Sequence, residues 1–205
     1  MSLIGVGAEQ LIICQEVSGE AMYRKSYTRP TWPEGQSGAT IGVGYDCGYS
    51  TAAGIQADWG SRLPQNMVDI LKTFAGTTGE HAHGLVRTQQ AGIVVVPWEV
   101  ALDEFENVEI PRWVAKVAKV YPNTDKLPAD CLGALVSLAY NRGLALAGDR
   151  RIEMERIKEH LAAGEYGKIP HEFRSMERLW SNGLVHRREV EAQLFEKGLA
   201  EMSAG

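Results

Sequence analysis

Between Ser37 and Gly48 the chain reads SGATIGVGYDCG. Gly38, Gly42, Gly44 and Gly48 remove side chains at close intervals, while Thr40, Ile41, Val43 and Tyr45 favour extended backbone. The whole stretch 19–50 shares this character, with Gly19, Pro30, Pro33 and Gly35 punctuating it. It reads as short strands and tight turns. Nothing similar recurs along the chain, and no internal repeat is visible. Extended structure is therefore expected only near the N-terminus.

Elsewhere the apolar residues follow helical spacing. Ala8 to Gln15 predicts a short helix stopped near Ser18-Gly19. Leu63, Met67, Ile70, Leu71 and Phe74 predict a return to helix over 51–78, and 76–92 reads as loop. From Val96 onward helices dominate. Pro97-Trp98-Glu99 opens one. Trp113, Val114, Val117 and Val120 form a stripe ended by Pro122. Leu132, Leu135, Val136, Leu138 and Ala139 form another, closed by Asn141-Arg142-Gly143. Arg150 to Ala163 and His186 to Met202 follow. The expected fold class is α+β, a small hairpin-bearing lobe and a larger helical lobe.

The 205 residues suffice for a core that needs no staple. With 44% hydrophobic and 23% charged residues, the composition excludes disorder, coiled coil and collagen. A net charge of −5 with no strongly basic segment excludes the electrostatic footprint of a nucleic-acid binder. Apolar runs such as Ile93 to Trp98 fall far short of a membrane span. The start MSLIGVGAEQ lacks a positive n-region, so no signal peptide is read and synthesis in the cytoplasm is expected. Cys14, Cys47 and Cys131 are scattered and odd in number, which fits a reducing compartment and small buried hydrophobes.

Glu16 is the first residue with chemical promise. It ends a mostly apolar helix, where the helix dipole disfavours its ionised form. An acid held protonated near neutral pH can protonate a leaving group. The plain alternative is a surface glutamate that closes a helix. The glycine-rich segment is the second. Asp46 lies at its end, Thr40 six residues earlier, and Glu34 six before that. Two carboxylates flanking one cleft are the minimum equipment for glycoside hydrolysis. The bland reading is a hairpin with a turn aspartate.

The order of a helix-terminal glutamate and then TIGVGYD resembles the phage-type lysozyme family, the muramidases of glycoside hydrolase family 24. The GYD ending is most similar to its pesticin-like branch. Ala134 to Gly143 and Gly183 to Glu191 resemble two later helices of that family, so the likeness runs from about residue 8 to 197. It implies a lysozyme-like fold with a cleft between the lobes, in a single catalytic domain over 1–205. The β-containing lobe would span about 17–60, the helical lobe about 96–205, and 60–95 would be an insertion. It implies hydrolysis of the β-1,4 bond between N-acetylmuramic acid and N-acetylglucosamine in peptidoglycan, without cofactor or metal. Glu16 matches the catalytic acid, and Thr40 the threonine that orients water. For the second carboxylate the phage enzymes point to the position of Glu34 and the pesticin-like branch to Asp46. Asp46 is favoured, because its GYD context is intact and Glu34 is one methylene longer than the phage aspartate. Glu34, Trp32, Tyr45 and Asn141 are the expected substrate contacts.

Rival readings are a lytic transglycosylase, which needs one glutamate, and a non-catalytic glycan- or partner-binding module on the same fold. Trp32 either stacks on a sugar or anchors its loop. Asn141 either contacts substrate or caps its helix. The other tryptophans read as core. His81 and His83 lack a ligand cluster for a metal. The pair Arg187-Arg188 reads as a solvated face or an ion-pair donor. The expected partner is the glycan strand, and the expected state a monomer. Holin-type release or a secretion machine would deliver the chain to the wall. If it is injected, an immunity protein would block it.

Overall fold

The computed structural model describes residues 3–180 and 183–204. It is mostly helical with one small antiparallel sheet. The chain divides into two compact units, one of residues 13–109 and one of residues 1–12 with 110–205. The division falls inside helix α1 (Val6–Val17) and at Glu109/Ile110.

In the 13–109 unit, α1 stops where Ser18 and Gly19 adopt positive φ (57° and 87°). Helix α2 (Glu20–Ser26) follows directly. It lies within the stretch read above as strands and turns. Its glutamate in the first turn, its Arg24-Lys25 in the last and the Glu20–Arg24 ion pair suit a helix locally. Tyr23 anchors it, with its buried hydroxyl donating to the Val96 carbonyl at 3.0 Å. Strands β1 (Thr40–Ile41) and β2 (Tyr45–Asp46) pair antiparallel, Thr40 opposite Asp46. Thr31 extends the ladder as an isolated bridge to Thr40.

Helices α3 (Ala52–Trp59) and α4 (Gln65–Lys72) replace the single helical stretch expected over 51–78. Pro64 sits at the N-cap of α4, where it lacks only an amide that the helix leaves unpaired anyway. Helix α5 (Gly79–Val86) overturns the loop read over 76–92. Its flanking glycines hid it, although Gly79 at φ 65° belongs to the helix entry rather than to a loop. Helix α6 (Trp98–Glu104) begins after Pro97 as expected and passes into a π-helical turn, Phe105–Glu109. Ile41, Val43, Tyr45, Ile55, Trp59, Val68, Leu71, Phe74 and Phe105 are buried within this unit. Tyr45 donates to Asp58 at 2.8 Å and meets Trp59 edge-on at 5.4 Å.

The 110–205 unit contains α7 (Ile110–Val120), α8 (Ala129–Arg142), α9 (Ile152–Ala163), α10 (Ile169–Ser175) and α11 (Leu184–Ala204). Helix α8 is buried at Cys131 and from Gly133 to Ala139, and packs on α11 and α7. Small residues set this spacing: a Cβ on Gly198 of α11 would stand 2.6 Å from Cys131 Sγ. The α10 helix was not anticipated; Ile169, Pro170 and Phe173 bury it against α9 and α11. Arg187 and Arg188 are not on a solvated face. They are 2% and 1% exposed and converge on Glu191, itself 0% exposed. No described helix is long and apolar enough to cross a membrane.

Candidate active site

One pocket of the 13–109 unit, about 360 Å3 in volume, gathers most of the residues singled out above. Its walls include Glu16, Trp32, Glu34 and Thr40, together with Tyr27, Thr31, Gly42 and Gly44. Glu16 is half-buried on the last turn of α1. Thr40 is half-buried on β1, and its hydroxyl makes only a long 3.4 Å bond to the Gly38 carbonyl. So weak a bond leaves that hydroxyl able to turn toward a water.

Glu34 is exposed and stands at φ 78°. A non-glycine residue in the left-handed region costs about 1–2 kcal/mol, and such strain persists where the surroundings enforce it. Here Gly35 shares the turn at φ 61°, and the Ser37 amide donates to the Glu34 carbonyl at 3.2 Å. The turn holds Glu34 on the pocket wall.

Trp32 has both of the roles considered for it within reach. Its indole N–H donates to the Ser37 carbonyl at 3.1 Å, and one face stacks on His83 of α5 at 4.5 Å and 15°. It is pinned as an anchor while its remaining surface lines the pocket. The stacking histidine, and Thr31 bridging to Thr40, escaped sequence reasoning. Helix α5 had no legible pattern, and one bridge residue has none.

Asp46 and Tyr45 are not among the walls of this pocket. Register puts Asp46 beside Thr40 on one face of the hairpin. Its carboxylate, however, accepts from the Gly38 amide (2.9 and 3.1 Å) and from the Gly48 amide (2.8 Å). A Cβ on Gly38 would lie 2.3 Å from that carboxylate, and one on Gly48 2.5 Å from the Thr77 carbonyl. Two of the four glycines thus serve this close packing, while Gly42 and Gly44 line the pocket. Tyr45 is buried, and burial raises its phenol well above the usual range. Asn141 belongs to the other unit. It lies in the last turn of α8 there, its Oδ1 accepting from Arg188 at 3.3 Å. Among the described residues, no three or more His, Cys, Asp or Glu side chains gather as metal ligands.

Residues 12–155, more than half of the chain, match the family model "Pesticin", described as a bacterial toxin homologue of phage lysozyme. The chain belongs to the pesticin family. Its activity at family level is that of a lysozyme-like muramidase, and peptidoglycan is the substrate class. The pesticin match takes in the whole pocket, from Glu16 to Gly44, and stops short of α10 and α11. No curated protein matches the sequence.

Proposed function

We propose that this chain hydrolyses the β-1,4 bond between N-acetylmuramic acid and N-acetylglucosamine, with Glu16 as general acid. The observation that carries the reading is a single pocket walled by two carboxylates, a threonine and a tryptophan. Glu16 protonates the glycosidic oxygen as the bond opens. Glu34 takes a proton from water, and the Thr40 hydroxyl holds that water for attack. The charge that builds on the sugar ring lies between the two carboxylates. A water held by Glu34 and Thr40 calls for direct displacement, and so for inversion at the anomeric carbon. Asp46, with its carboxylate engaged by two amides, supports the hairpin that carries Thr40. The bare backbone of Gly42 and Gly44 admits the sugar, and Trp32 offers it an apolar surface. The family's character as bacterial toxins supports delivery to a target cell, with an immunity protein guarding the producer.

Clearing of purified peptidoglycan by wild type, Glu16→Gln and Glu34→Gln tests this directly. Each variant should keep its fold and lose roughly 10²–10⁴ in rate. The soluble products should carry reducing muramic ends. Anhydro-muramyl ends would reassign the reaction to a lytic transglycosylase. Full activity of Glu16→Gln would remove the assignment altogether.

A further inference from the structure

A second pocket, in the 110–205 unit, is built largely from cations. Its volume is about 330 Å3, and its walls are Asn141, Arg142, Arg150, Arg151, Trp180 and Leu184. Arg142 ends α8, while Arg150 and Arg151 lie on the 3-10 turn Asp149–Arg151. Three guanidiniums around one concavity repel each other unless carboxylates are interleaved. Among the described residues no carboxylate forms an ion pair with Arg142, Arg150 or Arg151, and Glu153 and Glu191 reach Arg142 only through space. The adjacent acids, Asp149 and Glu153, are both engaged by Arg178. Glu191 is engaged by Arg187 and Arg188.

Buried donors around the pocket are also left over. Arg188 bonds the wall residue Asn141 and Glu191 through Nη2, and its buried Nε and Nη1 have no hydrogen-bond partner. The same holds for Nε of Arg142 and for the hydroxyl of Tyr121, which lies close enough to Arg142 and Arg151 to feel their charge. Desolvation first, and then Arg151 and Arg150, push the Arg142 guanidinium below its ordinary range, against a smaller opposing pull from Glu153 and Glu191. The Cζ of Arg142 lies over Trp180, 4.6 Å from the ring centroid, and that of Arg188 is 5.9 Å from the same centroid.

We propose that this pocket binds an oxyanion, the carboxylate or phosphate group of a small ligand, between Arg142, Arg150 and Arg151. Guanidinium forks match both groups in geometry and relieve their own repulsion by holding them. Trp180 and Leu184 offer an apolar surface to the remainder of the ligand.

The test is calorimetric titration of the full chain at low salt with two probes, sodium phosphate and a wall stem tetrapeptide with a free C-terminus. The site stands apart from the reading of Glu16, but the choice of the peptide probe rests on it. Saturable binding of either probe is expected, weakened roughly tenfold in Arg150→Gln or Arg151→Gln and lost in the double variant. Arg87→Gln, in the other unit, should bind as wild type does. Phosphate binding alone identifies a phosphate-bearing ligand. Peptide binding that disappears on C-terminal amidation identifies a carboxylate. Absence of saturable binding by both probes, or undiminished binding in the double variant, overturns the site. Wall clearing by wild type is scored separately, so failure here leaves the reading of Glu16 where its own assay puts it.

Discussion

Replacing Asp46 by Asn separates a hairpin strut from a catalytic base. In the wild type the carboxylate accepts from two buried amides: Gly48 N at 2.8 Å, and Gly38 N shared between both oxygens at 2.9 and 3.1 Å. Asparagine retains one acceptor oxygen. Placed at Oδ1 it still meets both amides, Gly48 N at 2.8 Å and Gly38 N at 3.1 Å, but its NH2 then stands where Oδ2 accepts from Gly38 at 2.9 Å, donor against donor. Both bonds fall from charge-assisted to neutral, and the shorter Gly38 contact turns repulsive. The expected loss is about 2–4 kcal/mol. Alanine, which satisfies neither amide, should cost about 3–6 kcal/mol, a large share of the 5–15 kcal/mol typical of a domain. Urea unfolding followed by tryptophan fluorescence measures both losses. Wall clearing at low temperature, where Asp46→Asn is still folded, measures its rate per folded molecule. That rate should stay within about tenfold of wild type, against roughly 10²-fold or more for Glu34→Gln. The reasoning fails if Asp46→Asn unfolds at the wild-type urea concentration yet has lost its activity. Asp46 would then be the base, and Glu34 a bystander on the wall.

Other expectations follow from the 110–205 unit and from the thiols. Glu191→Gln leaves Arg188 buried without its counter-charge and should cost about 3–5 kcal/mol in urea unfolding; a loss below 1 kcal/mol would mean water reaches it. Arg174 holds Glu196 and Glu189 below the usual carboxylate range, first through its side-chain hydrogen bonds to them. Because those folded-state values are depressed, this stability is present above about pH 4.5 and lost as the pH falls through them. All three side chains are partly exposed, so the contribution is under about 1 kcal/mol, and Arg174→Met should shallow the acid limb of a stability–pH curve only slightly. Cys14 is exposed while Cys47 and Cys131 are buried, and burial pushes the Cys131 thiol up to about 12. A thiol reagent at pH 8 should therefore label one cysteine per folded chain and three after denaturation.

What could be read from the sequence followed from local rules, and what could not depended on partners distant in the chain. Helix α8 announced itself, because a stripe ending in Asn141-Arg142-Gly143 satisfies spacing and capping together, and Gly143 indeed takes positive φ. Helix α5 did not. Its two glycines outweigh the single buried Ala82, and what holds its entry is the Gly79 amide on the distant Ser37 carbonyl. The same limit governs the charged residues. Arg187 and Arg188 follow one another, so a helix wheel does not send both to the core. The wheel is silent on Ser137 and Glu191, whose hydrogen bonds make their burial tolerable. Spacing brought Glu34, Thr40 and Asp46 forward as equals, six residues apart each way. Only backbone geometry distinguishes them. The strained φ of Glu34 keeps it on the pocket wall, whereas Asp46 caps the 3-10 turn Cys47–Tyr49 through the Gly48 amide. The Asp46 carboxylate is turned onto the Gly38 and Gly48 amides and is not on the pocket wall, whereas Glu34 is. That is the physical ground for assigning the water to Glu34, although the intact GYD context favours Asp46.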